Sequence, residues 1–262
     1  TASENNNSFF VFLRVPPCLR GESDLSFSCV LRAFVVNTDT IPTVPHIDWP
    51  PMQTPQPDTP LTDWLAALAE PTAAPAGGAA AALAGALAGA LVQMVAGLTG
   101  ARARYAAVHE EAAGIRKEAE RLRGEMLELA SRDAEAFAGF TMALAMPAGT
   151  GEERQTRERA KAEALRAGAD VQLELMRHLG EAAELAEAMA QRGLATALGD
   201  TATATFLAAA GARSAYWAVR DNLHGATDRP AAERALTRAR DLLERIEEVE
   251  RRVRQLLSQR IA

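Results

Sequence analysis

The sequence predicts an all-α fold, an elongated helical bundle of about five or six helices. Three observations carry that expectation. Ala and Gly dominate long stretches and only 5% of the 262 residues are aromatic, a composition suited to closely packed helices. From Leu61 onward, apolar residues recur at helical spacing. No segment beyond residue 60 alternates with the period of a strand. With 48% hydrophobic and 24% charged residues, the chain has ample material for one buried core.

Composition changes near residue 58. Both cysteines and nine of the 13 prolines fall within the first 60 residues. The stretch from Pro42 to Pro60 reads as an extended linker. Residues 1–58 are therefore expected to form a Pro-rich, disordered extension, and 59–262 the helical domain. Thr59 followed by Pro60 opens a short helix through Trp64 and Leu68. Pro75 to Gly78 breaks the chain before an Ala/Gly helix from Ala79 to about Thr99. Within it, Ala81, Gly85 and Gly89 form a face that another helix backbone can approach closely. A long helical run from about Arg102 to Met146 stops at Pro147. Thr150 and Glu153 have capping-box spacing for the next helix, which runs towards Gln191 with Leu175, Leu179, Ala182, Ala186 and Met189 on one face. Gly193 ends it, and Asp200 begins another helix reaching Leu223. The last helix follows Pro230. Its Leu242, Ile246, Val249, Val253 and Leu256 are spaced 4,3,4,3, a seam that could pack on its own domain or on a second subunit.

Charge and cysteine usage exclude several classes. Lys plus Arg number 28 against 34 for Asp plus Glu, a net charge of −6, so no nucleic acid is expected as partner. Cys18 and Cys29 make no disulfide framework, and a reducing, cytoplasmic setting is expected. Residues 71–100 carry no charge, but they are mostly Ala and Gly rather than Leu, Ile and Phe. A buried helix is expected there, with no membrane partner. His46, His109, His178 and His224 lack metal-ligand spacing, and no phosphate loop or nucleophile elbow occurs.

Asp133 is the most informative position. At 100° per residue it lies within about 40° of Leu122, Met126, Leu129, Phe137, Phe140 and Leu144 around the helix axis. A carboxylate in the middle of an apolar line must be paired, hydrogen-bonded or protonated. A raised pKa there suits a general acid or base, and a structural bridge is the alternative. Glu135 points some 200° away, towards solvent. Asp200 reads first as an N-cap. The amides of Gly77 and Gly78 could approach an anionic or carbonyl group, or simply form a turn. Arg154, Arg157 and Lys161 read as a solvated face, or as cations near a pocket for a polyanion.

Residues 61–228 resemble the cyclodeaminase/cyclohydrolase family, which comprises the cyclodeaminase half of formiminotransferase-cyclodeaminase and stand-alone methenyltetrahydrofolate cyclohydrolases. The resemblance runs in order through Leu65-Ala66-Ala67-Leu68-Ala69, Pro75-Ala76-Gly77-Gly78, Met94 to Thr99 and Asp133-Ala134-Glu135-Ala136-Phe137. It continues with Met146-Pro147, Thr150 to Arg154, Gly193, Asp200, Ala215-Tyr216 and Asn222-Leu223. It implies an all-α homodimer with a folate derivative as substrate bound near the subunit interface, and neither metal nor other cofactor. It assigns acid/base chemistry to Asp133 and a positioning role to Asp200. Gly77 and Gly78 would hold the folate, with Asn222 also in the site and Arg157 a candidate for the glutamate tail by charge alone. Six family features are replaced, at Ala76, Ala79, Ala148, Leu194, Gly199 and Ala218. Two functions follow. One is hydrolysis of 5,10-methenyltetrahydrofolate, or the related cyclodeamination. The other is a dimeric helical binding or interaction module without turnover.

Overall fold

The computed structural model describes residues 56–72 and 74–261. Cys18, Cys29, His46 and nearly all of the expected 1–58 extension lie outside the described residues. Within them the chain forms six α-helices: α1 (Leu61–Ala69), α2 (Gly77–Gly100), α3 (His109–Ala145), α4 (Gly151–Arg192), α5 (Leu198–Asn222) and α6 (Arg229–Ile261). Among the described residues there is no strand. From α2 onward, successive helices run antiparallel, and α6 packs against both α4 and α5.

Small residues set the spacing of the bundle. A Cβ on Gly85 would fall against Met126 and 2.7 Å from Leu179, and one on Gly211 would lie 3.1 Å from the Ala81 carbonyl oxygen. Helix α2 is thus pressed against α3, α4 and α5 at once, with Ala81, Ala82, Ala86, Ala88, Val92 and Val95 buried. It is long and apolar enough to cross a membrane, yet 56% of its most apolar window is buried inside the fold. The α6 seam closes on its own domain. Ile246, Val249 and Val253 are buried, Ile246 lies over Gly180, and Arg252 bonds Glu187 of α4 at 2.6 Å.

Several helix ends differ from the sequence expectation. Pro60, not Thr59, is the N-cap of α1, and the Thr59 hydroxyl accepts from the Gln56 N–H instead. The long run is interrupted by a 3-10 turn over Ala103–Val108, kinked at Tyr105, whose hydroxyl receives the Ala195 N–H from the turn after α4. Ala197 caps α5, because a 3-10 turn over Ala195–Ala197 fills the joint, and Asp200 lies inside the first helical turn. Thr150 and Glu153 do form the reciprocal capping box.

One polar cluster is built into the α3–α4 seam. His178 is buried, with Nδ1 3.3 Å from Glu125 and 3.8 Å from Glu181, Nε2 4.0 Å from Glu174, and Arg177 at 3.1 Å. Burial and the neighbouring Arg177 push the imidazole below its ordinary pKa, with Glu125 and Glu181 opposing. A histidine depressed in the folded state contributes stability above its unfolded pKa of about 6.5 and loses it as pH falls. The melting temperature should therefore drop between about pH 7 and pH 5, and less so in His178→Gln, as followed by circular dichroism.

Candidate active site

Helices α3 and α4 are longer than their neighbours. Gly78, in the first turn of α2, lies against Asp133 of α3, and Gly168 of α4 lies against Asn222 at the end of α5. Beyond those points the α3–α4 hairpin continues as an arm, reaching about 18 Å past Asp133 at 1.5 Å per residue. The arm explains why the apolar line through Asp133 is only half buried. Leu122, Met126 and Leu129 are enclosed, whereas Phe137 and Leu144 are 40% and 42% exposed. Phe137 and Phe140 meet on the arm with ring centroids 6.1 Å apart. The ledge where the bundle ends and the arm begins is the candidate site.

Asp133 is half-buried at the foot of this ledge. The first turn of α2 begins after Ala76, which has no side chain to cap it. Asp133 supplies the missing acceptor from α3, taking the Ala79 N–H, in the positive end of the α2 dipole. Gln172 of α4, fully buried, donates Nε2 to Asp133 Oδ1 at 2.6 Å. Burial pushes the Asp133 carboxyl above the usual carboxylate range, and these two donors oppose it. A Cβ on Gly78 would lie 2.5 Å from both carboxylate oxygens and closer still to Gln172 Nε2. Only glycine leaves room for all three.

The structure thus gathers Asp133, Gly77, Gly78 and Asn222 at one end of the bundle. Arg157 stands on the arm, half-buried, its Nε enclosed without a partner among the described residues. It is about 22 Å along α4 from Gln172. Asp200 is elsewhere. It lies about 33 Å along α5 from Asn222, at the opposite end of the bundle. Gln172 and Gly168 escaped the sequence reading, although a signal existed: Gln172 shares a helix face with Leu175, Met176 and Leu179, all fully buried. No group of three or more potential metal ligands occurs among the described residues.

The family model for formiminotransferase-cyclodeaminase matches residues 60–241, spanning α1 to the early part of α6. The chain belongs to the formiminotransferase-cyclodeaminase family. A methenyltetrahydrofolate cyclohydrolase from Methylorubrum extorquens is 33% identical over 180 residues, covering 69% of this chain and 86% of that protein. A formiminotetrahydrofolate cyclodeaminase structure from Thermotoga maritima superposes with a TM-score of 0.70 at 27% identity, covering 78% of this chain and 98% of that one. Membership makes the chain an enzyme of the cyclohydrolase and cyclodeaminase kind, with the helical fold of that family.

Gly77 and Gly78 separate two roles that sequence alone leaves merged. Gly77→Ala meets open space and should leave stability unchanged, whereas Gly78→Ala should lower it by about 1–3 kcal/mol in urea unfolding.

Proposed function

We propose that this enzyme hydrolyses 5,10-methenyltetrahydrofolate to 10-formyltetrahydrofolate, with Asp133 as the acid/base. The observation that carries the reading is the Asp133 carboxyl itself: half-buried, raised in pKa, held by neutral donors and set on an open ledge. The name of the Methylorubrum extorquens relative supports the same substrate. In the reaction, water adds to the cationic carbon that bridges N5 and N10 of the folate. The C–O bond forms as Asp133 takes a proton from the water. The C–N5 bond then breaks, N5 receives the proton from Asp133, and the remaining hydroxyl loses its proton to solvent as the formyl C=O forms. One proton is released overall, and no metal or other cofactor is required. Gly77 sits where the folate would rest against the helix end, Asn222 flanks the ledge, and the arm with Arg157 offers a cation to the glutamate tail. A cytoplasmic setting suits such a substrate.

The reading includes a homodimer. Helix α2 has no charged residue, and its outer face carries Leu83, Leu87, Leu91, Met94 and Leu98, of which Leu87, Met94 and Leu98 are 48%, 42% and 39% exposed. These positions are spaced 4,4,3,4, a seam for a second helix. Pairing α2 antiparallel with its twin about Leu91 would carry the far end of the partner's α2 towards Gly78. That end is tied by Thr99 to the Leu194 N–H at 3.0 Å, just before Asp200. Asp200 stands at that far end, remote from Asp133 within one chain.

The test is the loss of methenyltetrahydrofolate absorbance in the near ultraviolet. The parent should exceed buffer-catalysed hydrolysis, and Asp133→Asn should lose about 10²–10⁴ in rate while melting near the parent temperature. A parent without turnover would instead favour the binding-module reading. Leu87→Glu combined with Met94→Glu should yield monomers in light scattering and abolish turnover with them.

A further inference from the structure

The Gln172 side chain is wholly enclosed, yet only half of its amide is engaged. Nε2 donates to Asp133, whereas Oε1 is sealed from solvent with no partner among the described residues. A buried carbonyl oxygen without a donor is unfavourable. The two ends of a primary amide are nearly equal in size, so a half-turn would bring Oε1 to the place of Nε2. That half-turn breaks no other hydrogen bond. A separation of 2.6 Å suits an O–H···O bond as well as a short N–H···O bond, so the exchange needs little movement of either helix. Gly78 packs directly on the amide and the carboxylate, where any side chain would collide with both.

We propose that Gln172 is a positioning residue that partners Asp133 in both of its protonation states, presenting Nε2–H to the carboxylate and, turned over, Oε1 to the carboxylic acid. The proposal rests on the reading of Asp133 as the acid/base. A group that must take a proton and then return it is poorly served by a fixed cation, which holds it ionised, or by an apolar neighbour, which holds it neutral. An amide does neither. In each orientation one end of Gln172 is unpartnered, so neither orientation is locked and the Asp133 proton decides between them.

Among the described residues, Gln172 and the Ala79 N–H are the groups that hydrogen-bond the Asp133 carboxyl. Helix α2 is uncharged. On the adjoining turns of α3 and α4, Arg132 and Glu174 bind each other at 2.8 Å, and on α5 Arg220 lies over the Trp217 ring at 4.5 Å. The Ala79 N–H is a fixed donor whichever form is present.

The test is nuclear magnetic resonance on the full chain without substrate, with labelled Asp carboxyls and Gln side-chain amides. Asp133→Asn and Gln172→Met assign the two signals by their disappearance. The Gln172 amide should shift with pH at the midpoint of the Asp133 carboxyl and stay flat in Asp133→Asn. Gln172→Met should lower kcat by about tenfold or more with KM within about twofold, the effect of one lost hydrogen bond in the reacting state. A Gln172 amide that stays flat across the Asp133 titration overturns the proposal, even if the enzyme turns folate over. Linked titration in a protein without turnover upholds the Gln172–Asp133 coupling and removes the folate reading instead.

Discussion

A carboxylate can stand among packed helices only if hydrogens reach it, and here they come from the uncapped first turn of α2. Ala76 offers no side-chain acceptor, so the helix and the acid solve each other's deficit. The arrangement depends on Gly78, because any side chain there would occupy the space of the carboxylate. It depends equally on α4, which brings the Gln172 amide in from the other side. The balance is incomplete by design of the site: burial still outweighs the two donors, and the carboxyl remains more basic than one in water.

That corner is fixed by features far from it. Gly85 and Gly211 let α2 sink between three helices, which sets how far along α3 its first turn arrives. The 3-10 turn at Ala103–Val108 and the Thr99–Leu194 link pin the opposite end. With both ends of α2 held, the first turn meets Asp133 rather than a residue one turn away. The core is thus a ruler as well as a source of stability.

Much of this was legible in the sequence. The all-α class follows from local spacing, since apolar residues at 3.6-residue intervals describe one helix without reference to any other. Asp133 was visible for the same reason, a charge where the wheel demands an apolar group. Gln172 lies on the same kind of buried wheel on α4, but a neutral amide there is far less costly to bury than a carboxylate, so its pattern is weaker. Their partnership was not legible, because it joins residues 39 positions apart. Spacing gives an angle around one axis, not which helix lies opposite or where a neighbour ends. The outer half of the apolar line through Asp133 is only partly covered because α2 starts at Gly77 and leaves the arm bare. Likewise Asp200 reads as a helix start, whereas the 3-10 turn over Ala195–Ala197 puts it inside the first turn of α5 and the length of α5 sets it far from Asn222.

The arm has a property of its own. Its two helices run in opposite directions from a single capped turn at Thr150. Matched insertions or deletions on either side of that turn would move the tip outward or inward by about 1.5 Å per residue pair. The register of Asp133 with Gln172 would be untouched. The fold therefore contains an adjustable reach, able to meet ligands or neighbours of different span while the chemistry stays where it is.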